Sequence, residues 1–278
     1  MKSESAGDPA GEEGAQAAPL SVLRMERMTA RLLGAAPEPP AELHLDEVRV
    51  FAPLTFARVS IGASSEPQLL RDPDLCIVPP GQRLHVRIDP GSEGILVAID
   101  TLLCEERSVR VQGRPARVDG VRAGADDALR ELVQGLAGDM RAGRPADGAD
   151  DIALHLASTY GVVPPETSCA GLTRPRLERV LTLIDERLTE PLPVSELAEA
   201  VHLSPFHFSR MFRVSTGRSP HEWIMLKRMA RAKALLATTR LPLPEVARAS
   251  GYRTHSHFSG MFHAVVGMTP GQYRARHS

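Results

Sequence analysis

The sequence contains one short segment twice, HFSRMF at residues 207–212 and HFSGMF at residues 257–262, with five identical positions of six. A second, shorter match precedes each copy, Leu197-Ala198 before the first and Val246-Ala247 before the second. In each copy a short apolar helix, a tight turn and a second helix follow one another, which is the pattern of a helix-turn-helix unit. The turn is marked by Gly251 in the second copy and by His202 in the first. The duplication predicts an all-α fold for this region.

Helical periodicity divides the second helix of the first copy into two faces. Phe208, Met211 and Phe212 are spaced at i, i+3 and i+4, so we expect them in the core. The residues expected on the opposite face are Phe206, Ser209, Arg210 and Arg213. Arginine can bind guanine O6 and N7, hydroxyl side chains bond to several bases, and flat apolar side chains contact thymine methyl groups. The pattern therefore predicts base contacts, the alternative being that the two arginines only form a solvated face.

The two halves of the chain carry opposite charge. Residues 1–171 have 17 basic and 26 acidic residues, a net charge of −9, whereas residues 172–278 have 16 basic and eight acidic residues, a net charge of +8. This asymmetry directs the C-terminal part toward a polyanion. A helix predicted over Pro220–Thr238 would span roughly 28 Å, close to the ~34 Å between successive major-groove faces of DNA. Predicted phosphate contacts are Ser204, Arg218, Lys227, Arg228, Arg231 and Arg274.

Further motifs occur in a fixed order along the C-terminal part. They are Leu197-Ala198, Ser204-Pro205, Phe208 to Phe212, Gly217 to Pro220, Gly251-Tyr252, Ser256-His257-Phe258, Gly267 to Pro270 and Tyr273. With them, residues 174–278 resemble the DNA-binding domain of the AraC/XylS family of bacterial transcription regulators. The resemblance implies base contacts by Phe206, Ser209 and Arg210 in the first unit, and by Arg253, His255 and Ser256 in the second. Family members usually have a basic residue where this sequence has Gly260, so we expect the second unit to read bases weakly and to serve mainly in positioning.

The N-terminal half changes its pattern along its length. Residues 1–18 are poor in apolar side chains and are predicted to be a disordered tail. Between Leu20 and Leu33 the apolar residues recur every three or four positions, which predicts a short amphipathic helix. After Leu43 the period becomes two. The predicted strands are His44–Phe51, Leu54–Ile61, Leu75–Val78, Leu84–Ile88 and Ile95–Ile99, with two weaker ones near Val109 and Val118. Helices are predicted over Asp126–Ala142 and about Asp150–Tyr160.

These elements predict an α+β protein. The N-terminal part is expected to be a small antiparallel barrel or sandwich with helices, and over roughly residues 40–160 it resembles the cupin-like sensor domains found in many AraC/XylS regulators. The predicted organisation is a tail at 1–18, a cupin-like sensor domain at 19–161, a linker at 162–173, and a domain at 174–278. This last domain is expected to be all-α, with two helix-turn-helix units joined by a long helix.

A ligand site is less well defined by the sequence. Arg83, His85 and Arg87 alternate on one strand and would form an anionic effector pocket if they faced inward, whereas the alternative places Leu84, Val86 and Ile88 inward. A metal-dependent cupin enzyme needs two histidines one residue apart together with further ligands. Since His85 is followed by Val86 and Arg87, we expect no metal site and no cofactor.

Together these patterns predict a sequence-specific transcription regulator, modulated by a small-molecule effector, with double-stranded DNA as its partner. RNA polymerase and a second copy of the chain are further candidate partners. No catalytic residue is assigned, and no apolar run is long enough for a membrane span, so we expect a cytoplasmic protein. Two alternatives remain: a DNA-repair or other enzyme fused to an AraC-type domain, and a regulator without an effector. Against the enzyme, Cys76, Cys104 and Cys169 provide neither a zinc spacing nor a reactive-cysteine motif.

Overall fold

A computed structural model describes residues 18–25, 27–35, 46–62, 66–145, 147–163 and 171–277. The N-terminal half has a mixed α/β structure. Its strands are β1 (Ala18–Arg24), β2 (Met28–Gly34), β3 (Glu47–Pro53), β4 (Phe56–Ile61), β5 (Gln68–Arg71), β6 (Asp74–Val78), β7 (Leu84–Arg87), β8 (Glu93–Asp100), β9 (Arg117–Val118), β10 (Arg122–Ala125) and β11 (Gly161–Val162). Its helices are α1 (Thr101–Gln112), α2 (Asp127–Ala142) and α3 (Ala149–Thr159).

The strands form antiparallel sheets. Six strands pair in the order β1-β2-β8-β3-β6-β10, three in the order β5-β4-β7, and β11 pairs with β9. The two larger sheets pack face to face, because one buried cluster contains Phe51 and Val78 from the first and Val59 and Leu84 from the second. Helices α2 and α3 cover the other face of the six-stranded sheet, where Val133 and Leu156 join Val97 in a second cluster. Among the described residues the sheets do not close into the barrel expected of a cupin.

The five main predicted strands and helices α2 and α3 are confirmed, although residues 44 and 45 lie outside the described part of the chain. Helix α2 begins after Asp126 because the carboxylate Oδ1 of Asp126 accepts a hydrogen bond from Leu129 N at 2.9 Å. It ends at Gly143, which adopts a left-handed conformation with φ of 63°.

Two element predictions are wrong. The helix predicted over Leu20–Leu33 is a hairpin of β1 and β2, in which β2 lies inside the sheet between β1 and β8. An internal strand buries side chains on both faces, so its apolar residues need not alternate, and they mimic a helical stripe. The strand predicted near Val109 lies in α1, which Asp100 caps by accepting a hydrogen bond from Leu102 N at 2.8 Å.

The predicted domain limits fall partly outside the described residues. Of the predicted tail only Ala18 is described, and it begins β1. Of the predicted linker at 162–173, residues 164–170 lie outside the described part of the chain, and Val162 belongs to β11. The division into domains stays a prediction.

The described C-terminal residues form seven helices, in agreement with the all-α fold that the sequence predicts. They are α4 (Arg174–Glu186), α5 (Val194–Glu199), α6 (Pro205–Thr216), α7 (Pro220–Thr238), α8 (Leu243–Ala249), α9 (His255–Val266) and α10 (Pro270–His277). Helix α7 has the predicted bounds because Ser219 caps it, accepting a hydrogen bond from Glu222 N at 3.2 Å, and Pro220 fills its first turn. Within the described residues, no helix combines the length and apolar character that crossing a bilayer requires.

Two hydrophobic cores lie along α7. Trp223 and Ile224 pack in the first core with Phe208 and Phe212 of α6. Further along the helix, Met229 and Leu236 pack in a second core with residues of α8 and α9. Because one continuous helix contributes to both cores, it fixes the spacing of the two helix-turn-helix units.

Candidate nucleic-acid interface

The first helix-turn-helix unit consists of α5, a tight turn and α6. The turn closes when Leu203 N donates to Ala198 O at 3.0 Å, and His202 adopts a left-handed conformation with φ of 56°. Ser204 then caps α6, accepting a hydrogen bond from His207 N at 3.3 Å. Ser204 is therefore the N-cap, and the N-terminal end of α6 lies at an exposed serine.

Helix α6 has the two faces that its periodicity predicts. Phe208 and Phe212 are fully buried, whereas the ring of Phe206 is 82% exposed. Arg210 and Arg213 are also exposed. Ser209 is half-buried, and its Oγ donates to Pro205 O at 2.8 Å, so its lone pairs remain the groups available to an outside donor. An exposed polar face backed by a buried aromatic face is what an α-helix needs to lie in a DNA groove.

The second unit repeats this construction with α8, a turn and α9. Thr254 caps α9 by accepting a hydrogen bond from His257 N at 3.3 Å. Phe258 and Phe262 are fully buried. The predicted base contacts of this unit, Arg253, His255 and Ser256, are all exposed. Gly260 is exposed as well, and no atom lies within 4 Å of the position that a Cβ would take.

The predicted phosphate contacts lie at different places, and the basic ones are hydrogen-bonded within the protein. Arg218 bonds to Glu105 and Glu222, and Lys227 lies 2.8 Å from Glu106. Arg228 donates to the carbonyls of Leu188 and Glu190, Arg231 to that of Ala249, and Arg274 to that of Leu241. Carbonyl partners leave the charge of an arginine in place, whereas carboxylate partners neutralise it. The charges of Arg218 and Lys227 are therefore neutralised within the protein, whereas Arg228, Arg231 and Arg274 keep their charge.

The predicted effector residues lie on the outer face of the three-stranded sheet. Arg83 and Arg87 are exposed and His85 is half-buried, whereas Leu84 and Ile88 are buried in the interior. This is the outward-facing alternative, and none of the three residues lines the cavities found between the two halves. A role for them in effector binding stays a prediction.

The sequence reasoning missed a cavity of about 380 Å³ between the two halves. Thr101, Glu105 and Arg117 of the N-terminal half line it together with Arg218 of the C-terminal half. No local sequence pattern predicts this cavity, because 113 residues separate Glu105 from Arg218 along the chain.

Neither metal nor thiol chemistry has a prepared site in the described residues. They contain no group of three or more His, Cys, Asp or Glu side chains suited to a metal ion. Cys76 and Cys104 are buried free thiols, and burial raises the pKa of Cys76 to about 11 and that of Cys104 to about 12. At neutral pH both are therefore protonated and poorly nucleophilic.

The fold and its two exposed helix faces define a DNA-binding domain of the helix-turn-helix class.

Comparison with known proteins narrows this class. The sequence model of a helix-turn-helix domain family matches residues 197–276. The probable transcriptional regulator LumQ of Photobacterium leiognathi is 34% identical over 101 residues, which are 36% of this chain and 41% of that protein. The arabinose operon regulatory protein of Escherichia coli (strain K12) is 33% identical over 101 residues, 36% of this chain and 35% of that protein.

A solved structure of a transcriptional regulator from Chromobacterium violaceum, described by its AraC-type DNA-binding domain, is 27% identical. The match covers 38% of this chain and 94% of the chain in that structure, with a TM-score of 0.36. Over its helix-turn-helix domain, the chain is similar to transcriptional regulators of the AraC/XylS family. The matched segments span about two fifths or less of the two curated relatives.

Proposed function

We propose that the protein is a transcription regulator that binds specific double-stranded DNA sequences through α6 and α9. The observation that carries this proposal is the duplicated unit in which buried phenylalanines hold an exposed polar helix face. The matches to transcriptional regulators over the same segment support it.

The residues of the two faces suggest unequal roles. Arg210 has the geometry to bind guanine with two hydrogen bonds, and the exposed ring of Phe206 suits a thymine methyl group. Ser209 and Arg213 complete the face of α6. In the second unit Arg253, His255 and Ser256 supply weaker base contacts, since Gly260 offers no side chain at the position of Arg210.

The N-terminal half would act as the regulatory part. A ligand in the cavity near Glu105 and Arg218 would touch both halves, so it would bind one arrangement of the halves better than another. Only such a difference in affinity can shift DNA binding. The two described thiols, Cys76 and Cys104, are buried and protonated, which argues against a repair enzyme that uses either of them as its reactive cysteine.

The proposal is tested by incubating the full-length protein with fragmented genomic DNA and sequencing the bound fragments. We expect a shared motif with two half-elements about one helical turn apart. Repeating the selection with a metabolite extract tests for an effector, because an effector-dependent regulator would change its occupancy and an effector-independent one would not. Binding without any common motif would contradict sequence-specific recognition.

A further inference from the structure

Helix α1 belongs to both halves of the molecule. Its residues Leu103 and Cys104 pack in the core of the N-terminal half, whereas Leu102 and Val109 pack in the core that contains Phe208 of α6. The contact between the halves continues beyond α1, at Pro115. A Cβ on Gly217, the residue that ends α6, would lie 3.3 Å from Pro115 Cγ. The N-terminal half therefore packs directly against the C-terminal end of α6.

The same helix directs two adjacent carboxylates at cations of the DNA-binding half. Glu105 is only 2% exposed. Its Oε2 accepts from Arg218 Nε at 2.9 Å and its Oε1 from Arg218 Nη2 at 3.0 Å. This two-point pairing of a guanidinium with a carboxylate is also how arginine holds a phosphate. Arg117, in the N-terminal half, donates to Glu105 as well, at 2.7 Å.

Glu106 makes the equivalent contact with α7. The Nζ of Lys227 lies 2.8 Å from Glu106 Oε1, and both side chains are largely buried. Lys227 also pairs with Asp185 of α4, and Glu106 with Arg27. The predicted phosphate contacts Arg218 and Lys227 thus each face a buried carboxylate from α1.

A third ion pair closes the contact between the halves at another point of α7. Lys233, which is 7% exposed, lies with its Nζ 2.6 Å from Asp46 and 3.3 Å from Asp100, both of the N-terminal half. Burial opposes the charge of Lys233, but the two carboxylates outweigh it and hold the pKa of Lys233 well above its usual range. Lys233 is buried and is not among the predicted phosphate contacts, so its ion pairs link the halves without involving a predicted DNA contact.

We propose that Glu105 and Glu106 occupy the places of two DNA phosphates, so that the N-terminal half inhibits DNA binding by direct competition for Arg218 and Lys227. This inference rests on the proposed function. Both cations must leave their carboxylates before they can bind phosphates. The packed arrangement of the halves and the full set of phosphate contacts therefore exclude each other. Opening the contact releases Arg218 from Glu105 and Lys227 from Glu106 at once, and leaves each with one carboxylate partner in the C-terminal half, Glu222 and Asp185 respectively.

Glu105→Gln is the sharpest test, because the change keeps the shape of the side chain and removes its charge. Arg218 retains Glu222, at 2.9 Å, and Arg117 is 49% exposed, so neither cation is left buried alone. Glu131→Gln is the matched control, since Glu131 is an exposed residue of α2 and the change in net charge is the same. Both variants are compared with the wild type for binding to the selected operator over a range of salt concentrations.

We expect Glu105→Gln to bind about fivefold more tightly or better, at the lower end of measured couplings between sites. The slope of log K against log salt should steepen by up to about 0.9, the value for one additional phosphate contact by Arg218. The double variant Glu105→Gln with Glu106→Gln should add a second step of similar size. Glu131→Gln should match the wild type.

Lys233→Met provides a second test that leaves both predicted phosphate contacts in place. It removes the ion pairs to Asp46 and Asp100 with little change in volume, and it should also tighten DNA binding if the halves must separate. Thermal unfolding of each variant establishes that it is folded. Equal affinity and equal salt slope for Glu105→Gln and the wild type would overturn the inference while leaving the proposed function intact, and so would weaker binding by Glu105→Gln. Failure of the wild type and all variants to bind DNA would overturn both.

Discussion

The two helix-turn-helix units have the same interior and different exteriors. In each, two phenylalanines one helical turn apart are fully buried, Phe208 and Phe212 in α6 and Phe258 and Phe262 in α9. Helices α6 and α9 are both capped by a hydroxyl side chain, Ser204 in the first unit and Thr254 in the second. On the exposed faces, however, Phe206 and Arg210 of the first unit correspond to Ser256 and Gly260 of the second.

The units also differ in their neighbours. The first packs against α1 of the N-terminal half, whose Leu102 and Val109 enter its core. The core of the second is formed within the C-terminal half, from α7, α8, α9 and α10. Shared interiors with different exteriors indicate that the fold constrains the buried residues of both units, whereas the proposals made above assign recognition and regulation mainly to the first.

The largest effect is expected from the shared interior. Phe208→Ala and Phe258→Ala should each lower the free energy of unfolding by about 3–5 kcal/mol, because each leaves a cavity in a packed core. Urea unfolding of the full-length variants measures the loss. Phe206→Ala is the control, because its ring is 82% exposed and its loss should stay within about 0.5 kcal/mol. A small loss at Phe258 alone would show that the two interiors are not equivalent.

The second largest effect is expected from the turns, in which the two units also differ. Gly251 has φ of 84°, and a Cβ there would lie 2.9 Å from Leu188 O and 2.8 Å from Arg228 Nε. Gly251→Ala should therefore lower the free energy of unfolding by at least about 2 kcal/mol, combining left-handed strain with overlap. His202 already has a side chain in the left-handed region and is exposed, so His202→Ala should change the same quantity by less than about 0.5 kcal/mol. Comparable losses at both positions would remove this distinction.

Base recognition should be lost mainly through the first unit. Arg210→Ala should reduce the preference for the operator over random DNA by about 1–3 kcal/mol, the worth of one bidentate base contact. Ser256→Ala and His263→Ala should each change it by less than about twofold, below the usual cost of one lost specific contact. Competition binding with operator and random duplexes measures the ratio. Arg144→Ala controls for the charge, because Arg144 lies in the N-terminal half and pairs with Asp139. Equal losses in the two units would contradict the proposed difference.

The fold of the DNA-binding half could be predicted because its signals are local. Pro220 and the capping Ser219 fix the start of α7, and the phenylalanine spacing fixes which faces of α6 and α9 are buried. Local signals failed at residues 20–33, where the apolar spacing suits a helix and only the sheet neighbours β1 and β8 reveal a strand.

The candidate site divides in the same way. The exposed positions of Phe206, Arg210 and Arg213 followed from periodicity, whereas the partners of Arg218 and Lys227 did not. The sequence gives no prediction for Glu105 and Glu106, because these carboxylates lie beside cations more than 100 residues away only once the two halves are packed. The sequence marks where positive charge lies, and the tertiary structure decides what neutralises it.

The smallest effect is expected from placing a cation at position 260 of the second unit, where the first unit has Arg210. Gly260→Arg places a cation at the position equivalent to Arg210, and the space around Gly260 is open for it. It should stabilise α9 by about 1 kcal/mol relative to glycine and steepen the salt dependence of DNA binding by about 0.9 in slope. Gly260→Ala is the matched control, because it brings the same gain in helix stability without charge. If the two variants bind DNA with equal affinity and slope, position 260 does not face the duplex, and the two units differ in where they lie on DNA rather than in one side chain.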